Sequence, residues 1–294
     1  MAKILYSQPV REKIKEELGE KIKRLERQPV LAIVQSGNRE DSSIYIKQKL
    51  KFGEEIGVQV RFKDLKIEKL KDRGEGGIIE EIKRLNEDKE VDGIIVQLPL
   101  PDGFDKEKVL ESILISKDAD GLVSGSKTIP ATARAILKLL EYYEIEVRDK
   151  KVAIIGRSLL VGRPTAELLR EKGALVSVCH RQTANMAEIC RGSHILISAA
   201  GQAGLVTKDF VHPNQVVIDV GINTPPPASQ WTSPTLGEVG QTNITGPRKL
   251  VGDVNFAEVE PIVASITPVP GGIGPLTVAC LFENLLDLCY NAEN

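Results

Sequence analysis

The stretch that decides the fold is "KVAIIGRSLLVGRPTAELLREKGALVSVCHRQT", residues 151–183. Its apolar run predicts a buried strand, Gly156 a tight turn, and the segment from Gly162 to Pro164 the start of a helix that leads to a second strand. Glycine permits close backbone approach, and the first N–H groups of a helix can bind phosphate. The pattern is therefore typical of a dinucleotide site, although five residues between Gly156 and Gly162 depart from the GxGxxG spacing.

The residues around this turn favour NADP over NAD. A site for NAD usually carries a carboxylate at the end of the second strand, about 20 residues beyond the glycine turn. Here that strand ends in Cys179, His180 and Arg181, without an acid. Arg157 in the turn and Arg181 can both meet a 2′-phosphate, which suits guanidinium donors. The alternative is that both arginines are solvated surface charges.

Apolar runs alternate with amphipathic stretches along the chain, which predicts α/β units with parallel sheets. The expected strands of a first unit are 30–37, 58–65 and 91–101, and its expected helices are 42–57, 74–89 and 133–145. A second unit has expected strands at 152–156, 175–180, 194–200 and 216–221. Residues 223–249 are rich in Pro, Gly, Ser and Thr, which predicts a surface loop.

Composition limits the class of protein. Of the 294 residues, 41% are hydrophobic and 27% charged, and the net charge of -2 gives no overall attraction to nucleic acid or anionic lipid. The N-terminus lacks the apolar core of a signal peptide, and the sequence predicts no membrane span. The four cysteines form no CxxC pair and the three histidines are dispersed. We therefore expect a cytoplasmic protein with reduced thiols, structural histidines and no metal site.

A second candidate site is the segment "DSSIYIKQKL", residues 41–50. Tyr45 and Lys49 are four residues apart and share one helix face, so the ring could stack on a flat substrate while a lysine of lowered pKa moves protons. A surface lysine beside a half-buried tyrosine is the alternative. Short-chain dehydrogenases also use Tyr-x-x-x-Lys, but after the nucleotide turn, whereas Tyr45 lies well before Gly156. The order argues against that class.

Further segments carry a resemblance to a known family. They are "GIIVQLPLP" (93–101), "KDADG" (117–121), "GRSLLVGRP" (156–164), "VVIDVGIN" (216–223), "GDVNF" (252–256) and "TPVPGGIGPLT" (267–277). In this order, behind Tyr45 and Lys49, the chain closely resembles the bifunctional methylenetetrahydrofolate dehydrogenase/methenyltetrahydrofolate cyclohydrolase family over about residues 5–290.

The resemblance implies an α/β fold with two domains. The expected folate-binding catalytic domain covers 1–146 plus 270–294, since the C-terminal helix returns to it, and a Rossmann-like domain that binds NADP covers 147–269. The expected partners are a small-molecule folate and a second copy of the chain in a homodimer, with neither nucleic acid nor membrane.

The family's site residues carry over where the sequence matches. Lys49 resembles the proton-transfer residue of the cyclohydrolase step, Tyr45 packs on the folate, Gln97 tunes Lys49, and Asp120 binds the pterin. The other substrate-binding residues that the resemblance implies are Ser42, Val96, Leu98 and the closing loop Pro270, Gly271, Gly272, Ile273 and Gly274. The cofactor-binding residues that it implies are Gly156, Arg157, Ser158, Arg181 and Ile222.

The activity that the resemblance implies is oxidation of 5,10-methylenetetrahydrofolate with NADP and hydrolysis of the methenyl product to 10-formyltetrahydrofolate. One departure lies beside Asp120. The segment "DGLVSGSKTIPATARA" (120–135) is shorter than in most relatives, and its helix start keeps Pro130 and a possible cap in Thr132. This shortening threatens the shape of the pocket more than its chemistry. The alternatives are a relative with only the dehydrogenase activity and a non-catalytic protein that binds folate or nucleotide.

Overall fold

A computed structural model describes residues 1–37, 40–66, 74–223 and 250–293, with the side chains of 40–43 and 292–293 outside the description. The chain forms two compact units. The three-stranded unit consists of Ser7–Glu146, Ser158–Leu168 and the chain from Pro275 onward. The six-stranded unit consists of Met1–Tyr6, Val147–Arg157 and Leu169–Gly274. The expected loop at 223–249 lies outside the described residues, except for Asn223.

The three-stranded unit is built on a parallel sheet of order β3-β2-β4, with β2 at Val30–Ser36, β3 at Gln59–Leu65 and β4 at Gly93–Gln97. Its helices are α1 (Gln8–Ile22), α2 (Glu40–Ile56), α3 (Glu75–Glu87), α4 (Lys106–Leu110) and α5 (Ala131–Tyr142), with a 3-10 turn at Ile115–Lys117. Strand β2 is buried along its whole length, as the apolar run predicts. The connection through α2 places β3 on one side of β2, and the connection through α3 then crosses to β4 on the other side. The direction of winding thus reverses at β2, where ligands of α/β sheets bind at the carboxyl edge.

The six-stranded unit is a parallel sheet of order β1-β9-β8-β7-β5-β6. Its strands are β1 (Lys3–Ile4), β5 (Lys151–Ile155), β6 (Leu175–Cys179), β7 (Ile195–Ser198), β8 (Val216–Asp219) and β9 (Ser265–Ile266). Helix α6 (Gly162–Glu171) follows the glycine turn, and its residues up to Leu168 are counted with the three-stranded unit. Helices α7 (Met186–Arg191) and α8 (Phe256–Val259) and a 3-10 turn (Lys208–Phe210) complete the six-stranded unit. The order places β6 and β7 on opposite sides of β5, which is the switch point of a doubly wound sheet.

The C-terminal helix α9 (Ile273–Glu293) returns to the three-stranded unit, as the resemblance implies. Phe282 packs on Phe52 of α2 with ring centroids 5.3 Å apart, and an ion-pair cluster joins Arg134 and Lys138 of α5 to Glu283. By length and composition alone α9 could cross a membrane, yet 72% of its apolar window is buried inside the protein. A core helix has these properties, so α9 is weak evidence for a membrane span.

The two-domain α/β fold with parallel sheets is confirmed, and several boundaries differ from expectation. Strand β4 ends before Pro99 and Pro101 because proline has no N–H to donate to a ladder. Residues 1–6, which the expected folate-binding domain includes, lie instead in the six-stranded unit, because Lys3 N and Leu5 N donate to Ala264 O and Ile266 O. The remaining expected domain boundaries stay a prediction. The four cysteines are free and buried, as expected.

The packing of α9 leads to a stability prediction. Phe282→Ala removes a fully buried ring, so we expect a loss of about 3–5 kcal/mol in the free energy of unfolding, seen as a lower urea midpoint. Phe62→Ala is the matched control, because Phe62 on β3 is 41% exposed and its loss should change the stability by about 0.5 kcal/mol or less. Equal midpoints for the two variants would contradict this role of Phe282.

Candidate active site

One pocket of the three-stranded unit brings together all four expected catalytic residues. It has a volume of about 210 Å³, and its lining includes Tyr45, Lys49, Val96, Gln97, Leu98 and Asp120. Tyr45 and Lys49 lie one turn apart on α2, while Val96 and Gln97 end β4 at the carboxyl edge of the sheet. The remaining wall comes from Leu122, from Pro130–Thr132, from Leu160 and Val161, and from Thr277, Val278 and Leu281 of α9.

Lys49 and Gln97 are hydrogen-bonded at the base of this pocket. Lys49 Nζ donates to Gln97 Oε1 at 2.9 Å, and Gln97 Nε2 donates to Leu98 O at 2.9 Å. The second bond fixes the orientation of the amide, so that its oxygen faces the lysine. Burial lowers the pKa of Lys49, and the Asp120 charge opposes that shift. A lysine in this environment can exchange a proton nearer to neutral pH than a solvated one.

Asp120 is the acidic group of the pocket. Burial raises the pKa of Asp120, the positive charge of Lys49 lowers it, and the negative charge of Asp118 raises it further. Asp120 and Lys49 therefore influence each other electrostatically across the same pocket. Its backbone is tied to the next helix, because Ala131 N donates to Asp120 O at 3.4 Å.

The shortened segment after Asp120 is closed by the buried carboxylate of Asp118. Gly121 N and Leu122 N donate to Asp118 Oδ1, and Val123 N donates to Asp118 Oδ2. Gly121 has a φ of 71°, and a Cβ there would lie 2.5 Å from Thr128 O, so the segment folds back tightly on itself. Helix α5 then starts at Ala131 with Pro130 as its N-cap residue, so Thr132 does not cap it.

Asn284 of α9 holds the same segment from outside. Its Nδ2 donates to Ala119 O at 3.0 Å and to Ile129 O at 2.9 Å, and its Oδ1 accepts from Arg134 Nη1 at 2.7 Å. The side chain is fully buried and has partners for both its amide groups. The residues on either side of Asp120 are thus fixed by a residue more than 150 positions away in sequence.

Two expected parts of the substrate site are placed differently. The side chain of Ser42 lies outside the described residues, although its backbone belongs to α2. Residues Pro270, Gly271, Gly272, Ile273 and Gly274 end the six-stranded unit and do not line the pocket. The last two of these residues, Ile273 and Gly274, begin α9, and Thr277 of the same helix contributes to the pocket wall.

The expected cofactor residues lie at the carboxyl edge of the six-stranded sheet and at the start of α6. Gly156 has a φ of 117°, and a Cβ there would collide with Ala199 O, so the turn accepts only glycine. Ser158 Oγ accepts from Val161 N at 3.2 Å and from Gly162 N at 3.5 Å, which orders the start of α6. The N–H groups of Val161, Gly162 and Arg163 are therefore bound to Ser158, and Gly156 is the feature that admits close approach of a ligand to the backbone.

Arg157 and Arg181 each follow closely, in sequence, a residue of one backbone hydrogen bond. Gly156 N donates to Cys179 O at 2.9 Å, which ties the turn to the end of β6. Arg157 is the residue after Gly156, and Arg181 lies two positions after Cys179. Both arginines are exposed. Ile222, which follows β8, is 39% exposed. The described part of this edge places no carboxylate at the end of β6, as a site for NADP requires.

The histidines serve the local backbone. His194 Nδ1 accepts from Lys151 N, His212 Nε2 pairs with Ser193 O, and His180 Nδ1 accepts from Gln182 N. Within the described ranges, no group of three or more His, Cys, Asp or Glu side chains is arranged to hold a metal ion.

Comparison with known proteins assigns the chain to a family. Residues 5–120 match the catalytic domain of tetrahydrofolate dehydrogenase/cyclohydrolase, and residues 130–293 match the NAD(P)-binding domain of the same family. The chain belongs to the tetrahydrofolate dehydrogenase/cyclohydrolase family. The resemblance seen in the sequence is thereby confirmed.

Relatives of this tetrahydrofolate dehydrogenase/cyclohydrolase cover nearly its full length. Bifunctional protein FolD of Methanospirillum hungatei is 40% identical over 272 residues, which are 90% of this chain and 88% of that protein. The crystal structure of the bifunctional enzyme FolD from Campylobacter jejuni is 37% identical, with a TM-score of 0.87 over 99% of this chain and 100% of that one. FolD of Trypanosoma brucei, solved in complex with NADP cofactor and inhibitor, is 33% identical, with a TM-score of 0.87. The match covers 100% of this chain and 99% of that one.

Sequence reasoning missed several residues that shape the site. Asp118 belongs to the quoted motif "KDADG", yet only the structure shows that its carboxylate binds three backbone N–H groups. Asn284 carries no local signal, because an amide in an apolar helix does not reveal its partners. Leu160 and Val161 were expected in the nucleotide turn and also line the pocket.

The electrostatics of the pocket can be tested by Asp120→Asn. The Asp120 charge raises the pKa of Lys49, so its removal should lower that pKa below the wild-type value. NMR titration of isotopically labelled lysine side chains would measure the shift. Asp102→Asn, at an exposed loop position after β4, is the control and should leave Lys49 unchanged. A pKa of Lys49 that stays the same or rises in the Asp120 variant would disprove the coupling.

Proposed function

We propose that the protein oxidises 5,10-methylenetetrahydrofolate with NADP and hydrolyses the resulting 5,10-methenyltetrahydrofolate to 10-formyltetrahydrofolate. The observation that carries this proposal is the single pocket that contains Tyr45, Lys49, Gln97 and Asp120. A relative with only the dehydrogenase activity would not need a partly buried lysine held against an amide. The described residues around the shortened segment keep Asp120 in the pocket, so nothing in them favours that alternative or a non-catalytic one.

The hydrolytic step needs a group that moves protons near a cationic substrate. An ammonium beside the methenyl cation would be repelled, so the lowered pKa of Lys49 suits the step. Neutral Lys49 Nζ accepts a proton from the water that attacks the methenyl carbon, and the protonated amine returns it to the ring nitrogen whose bond to that carbon breaks. The hydroxyl proton of the adduct leaves to solvent as the formyl carbonyl forms, so the hydrolysis releases one proton overall. Gln97 holds Nζ in place, while Tyr45 offers a flat surface for the folate and Asp120 an acceptor for the donor groups of the pterin.

The oxidative step depends on alignment. When bound, NADP accepts the hydride from the methylene carbon of the folate. In this chain Gly156 admits close approach of the dinucleotide backbone, Ser158 orders the N-terminus of α6, and Arg157 and Arg181 offer positive charge to a 2′-phosphate. Ile222 adds an exposed apolar surface at the same sheet edge. The loop Pro270 to Gly274 is proposed to close over the folate.

We further propose a homodimer in the cytoplasm. The family has bacterial and archaeal members. Strand β6 stands at one edge of the six-stranded sheet, where Leu175 is 59% exposed. An edge strand with exposed apolar side chains supports association with another copy of the chain. Light scattering coupled to gel filtration would give twice the mass of the chain if this proposal holds.

The role of Lys49 can be separated from that of the cofactor site by Lys49→Met. We expect cyclohydrolase activity to fall by at least about 100-fold, because proton transfer at this position is lost, while dehydrogenase activity stays within about tenfold. Each half-reaction is assayed separately, the second with supplied methenyltetrahydrofolate. Lys47→Met is the control, since Lys47 is exposed on the same helix. Undiminished hydrolysis by the Lys49 variant would remove the lysine from the mechanism.

Cofactor choice can be tested by Arg181→Ala. A charged hydrogen bond to the 2′-phosphate contributes about 1.5–3 kcal/mol, so the KM for NADP should rise about tenfold or more while the KM for NAD changes little. The control is Arg191→Ala, an exposed arginine whose Nη1 donates to Asp209 O. If the KM values for NADP and NAD rise by the same factor, Arg181 does not bind the 2′-phosphate.

A further inference from the structure

Asp253 is a buried carboxylate with five hydrogen-bond donors around it. Oδ2 accepts from Ser198 Oγ at 3.1 Å, from Ala200 N at 2.7 Å and from Gly201 N at 3.1 Å. Oδ1 accepts from Gln202 N at 2.9 Å and from Asn223 Nδ2 at 3.0 Å. The residue is fully buried. The loop 200–202, which follows β7, therefore has three successive N–H groups bound to one side chain.

A second buried carboxylate holds Asp253 itself. Asp219, the last residue of β8, accepts from Asp253 N and Gly221 N on Oδ1 and from Val254 N on Oδ2. A Cβ at Gly221 would collide with the carboxylate of Asp253, and a Cβ at Gly252 with that of Asp219. These two glycines are therefore required by the two acids.

Burying two neighbouring carboxylates inside a protein has a high cost in free energy, because both charges lose their hydration and repel each other. Burial raises the pKa of Asp219 to about 7 although three N–H groups lower it, and the neighbouring Asp253 charge raises it further. The cost of burying a charge is normally offset only where the hydrogen bonds are complete. Here all of those bonds except the one from Ser198, the last residue of β7, come from residues outside the regular strands and helices, so their effect is to fix the positions of the loops.

The loops in question border the cofactor turn. Ala199, at the start of the Asp253-bound loop, has its carbonyl oxygen against Gly156, where a Cβ would collide with it. Gly156 follows β5 and Ala199 follows β7, the two adjacent strands at the switch point of the sheet. Ligands of doubly wound sheets bind at this point outside the carboxyl ends of the strands. Gly221 and Ile222 continue the same edge from β8.

We propose that Asp253, held by Asp219, is a positioning residue for the dinucleotide: it fixes the backbone of residues 200–202 and the side chain of Asn223 at the edge where the cofactor binds. This inference rests on the proposed NADP site. It adds a residue that touches neither substrate nor reacting atoms and acts through the loops. The hydrolytic half-reaction uses Lys49, which lies in the other unit, and does not depend on Asp253.

The test compares NADP binding with hydrolysis in Asp253→Asn. The amide has the same shape but turns an NH2 group toward N–H donors, so the loop 200–202 loses its anchor. We expect the dissociation constant for NADP, measured by calorimetry on the full chain, to rise about tenfold or more. The KM for NADP should rise in proportion, while cyclohydrolase activity on supplied methenyltetrahydrofolate stays within about twofold of wild type.

Gln215→Met is the matched control. Gln215 is also fully buried in the six-stranded unit and donates to Cys190 O, Ser193 O and Ser193 Oγ, but it precedes β8 at the opposite sheet edge. Its loss should lower the thermal unfolding temperature and leave the dissociation constant for NADP within about twofold. An equal weakening of NADP binding in both variants would overturn the proposal, because the effect would then be general destabilisation.

The remaining outcomes are also decisive. Unchanged NADP binding in Asp253→Asn, or a parallel fall in hydrolysis, overturns the positioning role. Where that variant does not fold, Ser198→Ala replaces it. Ser198→Ala removes one of the five donors, should raise the dissociation constant about threefold, and overturns the proposal if binding is unchanged. A wild-type protein that binds no NADP overturns both this inference and the proposed function, whereas the variants bear on the inference alone.

Discussion

Buried carboxylates that accept backbone N–H groups hold the loops of this protein at the carboxyl edges of its parallel sheets. Asp118 does so beside β4, and Asp219 and Asp253 do so beside β7 and β8. A parallel sheet fixes its strands but leaves the loops at their ends without ladder partners. Because ligands of α/β proteins bind at these ends, the carboxylates decide whether the loops form a defined site.

The charges in the pocket act on Lys49 in opposite directions. Burial lowers the pKa of Lys49, and the negative charge of Asp120 raises it. The lysine can therefore exchange a proton nearer to neutral pH than a solvated lysine, while Asp120 stabilises its protonated form. Gln97 contributes geometry, since its amide is held by Leu98 O and can present only its oxygen to the lysine. The environment of Lys49 thus comes from α2, β4 and the segment that contains Asp118 and Asp120.

The shortened segment after Asp120 has a structural explanation. The segment has few hydrogen bonds within regular secondary structure. Its backbone is held instead by the carboxylate of Asp118 and the side-chain amide of Asn284. The segment then enters α5 without a side-chain cap, and Pro130, Ala131 and Thr132 form part of the pocket wall. The residues after Asp120 therefore contribute to the pocket wall, and the pocket lining includes Asp120.

The sequence by itself determined the fold class, the parallel strands, the glycine turn and the shared helix face of Tyr45 and Lys49, because periodicity and spacing are local properties. Gln97 and Asp120 were indicated only by the resemblance to a known family. It also indicated the cofactor, since the residue type at the end of β6 can be read directly. Only the tertiary structure decided that β1 joins the sheet of the other unit, that Asn284 reaches Ala119, and that Asp253 binds the loop after β7. These contacts join residues far apart in sequence, and a buried polar side chain carries no mark of its partner until the chain has folded around it.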